Sequence, residues 1–212
     1  MADPDDVRHG VFLLPDARTS AAVTRITAYL RAQLGVVPAG RFPPHITLAG
    51  SLPLAVPETA LLTAVRDVAA RYDAVTVSNA GPRRLWGSVL AFDVHEDGQG
   101  QPNDALVDLA VAVMDAVRPL LRPAGHLVAD LHERADWHGH VSLASHEVLE
   151  RPHLLRQVDQ LVRQLDEPYP ATFEGSDLGV FRFHHRDWDG AWWTDFSYEL
   201  VDVVELGACP GP

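Results

Sequence analysis

One short pattern occurs twice in this chain: a histidine, a β-branched apolar residue, a hydroxyl residue and a leucine. The first copy is His45-Ile46-Thr47-Leu48 and the second is His140-Val141-Ser142-Leu143. Because side chains alternate between the two faces of a strand, each copy puts its histidine and its hydroxyl on one face and its apolar pair on the other. The pattern predicts two half-buried strands, and any fold that uses both must turn their polar faces toward one cleft.

Hydrophobic periodicity around the two copies predicts further helices and strands. Strands are predicted over 11–14, 74–80, 85–94, 172–183 and 192–206. Helices are predicted over 23–34, ending at Gly35, and over 58–72, 105–121 and 154–165. The order helix, motif strand, helix and strand pair occurs in each half, which predicts an α+β fold with a pseudo-twofold relation. Residues 1–212 are expected to form a single bilobal domain with lobes of about 1–96 and 97–212, divided near the polar connector 96–102. An exchange of strands between the lobes is left open.

The charge of the chain limits its partners. The net charge is −12, and all 17 basic residues are arginines. An acidic chain disfavours long nucleic acids, whose binding rests on neutralising several phosphates. Guanidinium groups can still bind a phosphate through two hydrogen bonds. The composition therefore predicts a small or terminal phosphate substrate, and no long duplex.

Cysteine content and hydropathy indicate the compartment. Cys209 is the only cysteine, so an intrachain disulfide is excluded. The sequence starts with acidic residues where a signal peptide would be basic, and the apolar run 106–117 contains two aspartates and is too short to cross a bilayer. We expect a cytoplasmic monomer with no membrane association.

Both motif copies, with the lead-in Phe42-Pro43-Pro44 before the first, resemble the 2H phosphoesterase superfamily. That superfamily includes bacterial RNA 2′,5′-ligase-like proteins and 2′,3′-cyclic nucleotide phosphodiesterases. The resemblance extends over nearly the whole chain in element order. It implies a two-lobed fold of two mainly antiparallel sheets flanked by helices, with one motif per lobe facing a shared cleft. It also implies a phosphodiesterase that acts on a small nucleotide or an RNA terminus and needs neither metal nor cofactor.

The motif residues fit that chemistry. Opening a cyclic phosphodiester needs a base for water and an acid for the departing ribose oxygen, and imidazole serves either role at neutral pH. His45 and His140 are the predicted acid–base pair, and which of them is the base is left open. Thr47 and Ser142 are predicted to donate hydrogen bonds to the non-bridging oxygens.

Other residues are candidates for substrate binding. Trp86 begins a predicted strand, His138 precedes the second motif, and Arg182 and His184 end a later strand; all four are predicted to bind substrate. Trp192 and Trp193 are predicted on one strand with opposite facing, so that at most one reaches the cleft.

Two other functions stay open. The first is a nucleotide- or RNA-end-binding protein with little turnover. The second is a metal-dependent hydrolase that uses a group of histidines, since imidazole is a common zinc ligand. The candidate ligands are His132, His138, His140, His146, His184 and His185.

Overall fold

The computed structural model describes residues 6–122, 132–165 and 167–208. Cys209, singled out above, lies outside these ranges. The strands of the described part are β1 (Val7–Leu14), β2 (Ile46–Leu52), β3 (Val75–Ser78), β4 (Pro82–Leu85), β5 (Val89–Asp93), β6 (His140–Ala144), β7 (Thr172–Gly175), β8 (Asp177–His184) and β9 (Ser197–Glu205). Its α-helices are α1 (Ala17–Leu34), α2 (Glu58–Ala69), α3 (Asp104–Val117), α4 (His146–Glu150) and α5 (Pro152–Gln164).

A four-stranded antiparallel sheet in the order β2-β1-β8-β9 carries the first motif. Alternation along its central strands gives it two different faces. Val11 and Leu13 of β1 are fully buried in the main hydrophobic core, against which α2 and α3 pack. Phe12 of β1 and Phe181 of β8 point the other way, into a separate aromatic cluster with Phe42. This second face is the one that reaches the candidate site.

The second motif lies in the three-stranded antiparallel sheet β4-β5-β6, which packs against α1 and α5. A smaller antiparallel pair, β3-β7, continues it, because the Ala80 N–H donates to the Asp93 carbonyl and the Asp93 N–H donates to the Gly81 carbonyl. The predicted α+β architecture of antiparallel sheets flanked by helices is confirmed. The four-stranded and three-stranded sheets each combine strands from before and after residue 96, and the division into lobes at that residue stays a prediction.

Local sequence signals explain the bounds of α1. The Asp16 side chain caps its first turn by accepting the Thr19 N–H at 2.7 Å. Gly35 ends the helix in the left-handed conformation with φ 69°, and its N–H donates to the Arg31 carbonyl. Val23, Ile26 and Leu30 form the buried face, as the spacing predicts. No helix of the described residues is long and apolar enough to cross a membrane.

Three predicted strands differ from the structure. The predicted strand 85–94 is instead a hairpin of β4 and β5, because Trp86 and Gly87 both adopt positive φ and reverse the chain. The predicted strand 172–183 is divided between two sheets, as β7 and β8. Residues 192–194 form a 3₁₀ turn, closed by the Thr194 N–H bond to the Ala191 carbonyl, so β9 starts only at Ser197.

Gly10 lies where the aromatic cluster leaves no room for a side chain. A Cβ there would be 2.4 Å from Cζ of Phe12. Because Phe12 is held by Phe42 and Phe181, we expect Gly10→Ala to lower the free energy of unfolding by about 1–3 kcal/mol, the usual cost of overpacking. Urea unfolding measures the change.

Gly98→Ala is the matched control, since a Cβ at Gly98 meets no heavy atom within 4 Å. Its free energy of unfolding should stay within about 0.5 kcal/mol of the wild type, as is usual for surface positions. Equal stability of the two variants would contradict the packing assigned to Phe12.

Candidate active site

A cavity of about 260 Å³ lies where the two motif strands meet. Both motif pairs line it: His45 and Thr47 from the start of β2, and His140 and Ser142 from β6. The structure therefore brings together the four residues that the repeated pattern predicts, from two different sheets.

The two histidines are held in the same way. Nδ1 of His45 is 2.8 Å from the Pro43 carbonyl oxygen, and Nδ1 of His140 is 2.9 Å from the His138 carbonyl oxygen. A carbonyl oxygen only accepts, so Nδ1 carries the hydrogen in both rings. Proton exchange is thereby left to the Nε2 atoms. The repeated contact with the carbonyl two residues upstream gives the two imidazoles the same tautomer.

Aromatic rings surround His45. Phe12 and Phe42 each contact its ring edge-to-face with centroids 4.7 Å apart. Burial lowers the pKa of His45 from 6.5 to about 4; the hydrogen bond to Pro43 opposes this shift and the charge of His140 adds to it. His45 is therefore uncharged at neutral pH and its Nε2 can accept a proton.

A buried tryptophan connects the motif strands. Nε1 of Trp137 donates to the Thr47 carbonyl oxygen at 3.2 Å, and the indole is 4% exposed. Gly139 makes room for it, since a Cβ there would be 2.9 Å from Cη2 of Trp137. A hydrogen bond from a core side chain thus fixes the position of β2 relative to the start of β6.

Two of the predicted substrate-binding residues adjoin the site. Trp86 is 62% exposed, and its ring centroid is 5.0 Å from that of His140. The His138 side chain faces the buried Asp93, with Nε2 3.1 Å from Oδ1. Burial would raise the pKa of Asp93, but hydrogen bonds from His138 and the His95 N–H, with the charge of Arg83, lower it overall. His138 therefore contributes to the site through its backbone carbonyl, which orients the His140 ring.

The structure does not bring Arg182 and His184 to the cavity. They lie on the face of β8 opposite Phe183, which does line it. Nε of Arg182 is 3.2 Å from Oε2 of Glu58, and Nε2 of His184 is 3.3 Å from Oε1 of Glu199. The sequence pattern located the strand but not its register, and the register decides the facing.

Several lining residues were missed by the sequence analysis. Arg8 is 1% exposed and lies over the Trp188 ring, 5.5 Å from its centroid. Trp192 and Trp193 both line the cavity, so the expectation that at most one would reach it is wrong. They do so because the 3₁₀ turn replaces strand alternation there. The density of aromatic residues in 188–196 was the signal available in the sequence. His146, predicted only as a candidate metal ligand, also lines the cavity. The other lining residues that the sequence analysis did not single out are Phe12, Ala39, Gly50, Ser51, Ser145, Phe183, Trp188 and Phe196.

The histidines proposed as metal ligands have other neighbours. His146 stacks on Trp193, His138 contacts Asp93 and His184 contacts Glu199. Within 6–122, 132–165 and 167–208, no group of three or more His, Cys, Asp or Glu side chains is arranged to hold a metal ion.

Comparison with known proteins gives a family and a fold. A sequence model of the 2′-5′ RNA ligase superfamily matches residues 15–187. TT0787 of Thermus thermophilus superposes with TM-score 0.60 at 14% identity, covering 94% of this chain and 98% of that one. Escherichia coli LigT complexed with NADP+ gives TM-score 0.56 at 14% identity, covering 95% and 98%. LigT complexed with 3′-AMP gives 0.50 at 14% identity, covering 96% and 99%. No curated protein matches significantly.

The low pKa of His45 depends on its aromatic neighbours. We expect Phe42→Ala to raise that pKa toward 6.5, because water then reaches the imidazole. NMR titration of the His45 ring protons measures the midpoint. Tyr29→Ala, at an exposed position on α1, should leave the midpoint near 4. A midpoint near 4 in Phe42→Ala as well would show that Phe42 does not shield the ring.

Proposed function

Because this chain belongs to the 2′-5′ RNA ligase superfamily, within the 2H phosphoesterases, we propose that it is a metal-independent phosphodiesterase acting on 2′,3′-cyclic phosphates of nucleotides or RNA ends, or on the related 2′,5′ linkage. One observation carries the proposal: two imidazoles in one cavity, each with Nδ1 tied to a backbone carbonyl. Such a pair offers two Nε2 atoms for proton transfer, which is what opening a cyclic phosphodiester requires.

In the proposed reaction His45 is the base and His140 the acid. Neutral Nε2 of His45 takes a proton from a water molecule as its oxygen bonds to phosphorus. The bond from phosphorus to one ribose oxygen breaks, and protonated His140 gives its Nε2 proton to that oxygen, so a phosphomonoester and a free hydroxyl result. The lowered pKa of His45 supports this assignment for hydrolysis, because only the neutral ring can accept the proton.

Hydroxyl groups and one arginine complete the proposed phosphate site. Thr47 and Ser142 would donate to the non-bridging oxygens, where hydrogen bonds strengthen as charge develops in the transition state. Arg8 adds positive charge to the cavity lining. Since side chains from two sheets converge here, the phosphate would be held from opposite sides.

A second candidate function is a nucleotide-binding protein with little turnover. A base with a pKa of about 4 has a weak driving force for taking a proton from water at neutral pH, and this observation favours it. The structures of E. coli LigT with NADP+ and with 3′-AMP support a nucleotide-sized ligand under either candidate.

We also propose the size of the substrate, the compartment and the oligomeric state of the protein. The acidic chain and the small cavity support a small or terminal phosphodiester over a long duplex. Action as a cytoplasmic monomer is proposed on the cysteine content and on the hydropathy of the sequence.

Replacing either motif histidine tests the reaction. We expect His45→Ala and His140→Ala each to lower kcat for 2′,3′-cyclic nucleotides by about 10²- to 10⁴-fold, the usual contribution of a general acid or base. His153→Ala, at an exposed position on α5, is the matched control and should hydrolyse at the wild-type rate. Chromatography identifies the phosphomonoester isomer, and circular dichroism confirms folding.

Three results would contradict the proposal. Retention of activity within about threefold in either variant would remove the two-histidine mechanism, because a positioned acid or base contributes far more. Wild-type binding of cyclic nucleotides without consumption would favour the binding protein. Loss of activity on chelation, restored by Zn²⁺, would instead favour the metal-dependent hydrolase. A 2′,5′-linked dinucleotide in the same assay distinguishes the two substrate classes.

The pH profile tests the roles of the two histidines. Above a pKa of about 4 His45 is neutral and can act as base, so the acidic limb of kcat/KM should lie well below 6.5. A basic limb should follow where His140 loses its proton. Steady-state rates measured from acidic to mildly basic pH locate both limbs. An acidic limb at 6.5 or higher would rule out His45 as the base.

A further inference from the structure

One side of the cavity is made of tryptophans that the proposed reaction does not use. Trp188, Trp192 and Trp193, here called the aromatic wall, line it together with the motif residues. All three are half-buried, and none belongs to the hydrophobic clusters formed by the described residues. Because these large aromatic rings line a cavity and do not belong to the core, core packing does not explain their position.

The rings of the aromatic wall lie in different planes. Trp192 and Trp193 meet edge-to-face, with centroids 5.9 Å apart and an interplanar angle of 82°. Trp188 lies 5.7 Å from Trp192 at 44°. His146 stacks on Trp193 at 4.8 Å and 24°, which fixes that ring from one side. The arrangement presents planar apolar surfaces at two orientations.

The polar groups of the wall indicate what it would bind. Nε1 of Trp188 is buried and has no hydrogen-bond partner among the described residues. An indole N–H can only donate, so a ligand acceptor would satisfy it. Burial lowers the pKa of His146, which keeps that ring uncharged. Apart from the buried Arg8 guanidinium over the Trp188 ring, the wall is an apolar aromatic surface with one N–H donor, which suits a planar ring that carries lone pairs.

Resting on the proposed function, we propose that the aromatic wall is the base subsite: the nucleobase stacks on Trp193, meets Trp192 edge-on and accepts a hydrogen bond from Nε1 of Trp188, while the phosphodiester lies between His45 and His140. A cavity of about 260 Å³ lies just below the usual size range of ligand pockets, so it suits a ligand no larger than one nucleotide. Purines, with a larger face and ring-nitrogen acceptors, bind better than pyrimidines. The subsite selects nucleoside esters over phosphodiesters that lack a base.

Kinetics with three cyclic phosphates test the subsite. The substrates are adenosine 2′,3′-cyclic phosphate, cytidine 2′,3′-cyclic phosphate and the base-free glycerol 1,2-cyclic phosphate. Wild type should have its lowest KM for the adenosine ester. Trp193→Leu should raise that KM by about 5- to 100-fold, from the usual strength of base–aromatic stacking, with kcat nearly unchanged. The KM for the glycerol ester should not change.

Two further variants separate stacking from a structural role. Trp193→Phe keeps an aromatic face and should recover most of the affinity, whereas Tyr29→Leu, an exposed aromatic on α1, should match the wild type. An equal loss on the adenosine and glycerol esters in Trp193→Leu, or no loss on either, would overturn the base subsite.

A binding measurement keeps the subsite testable without turnover. Adenosine 2′-monophosphate should quench the tryptophan fluorescence of the wild type, and inorganic phosphate should not. Trp193→Leu should bind the nucleotide about 5- to 100-fold more weakly. If no ester is hydrolysed while this difference holds, the proposed function fails and the subsite stands. Equal binding by both proteins overturns the subsite, whatever the hydrolysis.

Discussion

The geometry of the site depends on one hydrogen bond, from the indole of the core residue Trp137 to the Thr47 carbonyl. It joins the first motif strand to the segment that leads into the second. Because Gly139 must lack a side chain for the indole to fit, the chain three residues before Ser142 is fixed by packing. His45 directly precedes β2 and His140 begins β6, and both imidazoles take their orientation from the backbone carbonyl two residues upstream.

The same aromatic side chains stabilise the fold and determine the protonation state of His45. Phe12 and Phe42 form a small second core on the cleft face of the four-stranded sheet, and their rings also exclude water from His45. A well-packed aromatic face therefore lowers the pKa of His45 and keeps it neutral. Stability and protonation state are linked through shared burial, so changes that loosen this cluster act on both.

The parts of the structure that follow from local rules were predictable. The two motif strands and the end of α1 at Gly35 follow from strand alternation and from glycine's tolerance of positive φ. The facing of Arg182 was not predictable, because it depends on the register of β8 against β1. The place of Arg8 in the cavity lining was not predictable either, because Arg8 lies over Trp188, which is far away in the sequence. Strand propensity predicted an extended Trp192, but tertiary packing made it part of a turn.

The backbone conformation of the hairpin at Trp86 limits which substitutions are favourable at that residue. A tryptophan at φ 48° adopts a backbone conformation that usually costs a non-glycine residue about 1–3 kcal/mol. Glycine or asparagine would relieve that cost, yet either would remove the ring that contacts His140. Residue 86 is thus a position where selection for thermostability and selection for the site act in opposite directions. Stabilised variants obtained without an activity screen would be expected to lose this indole early.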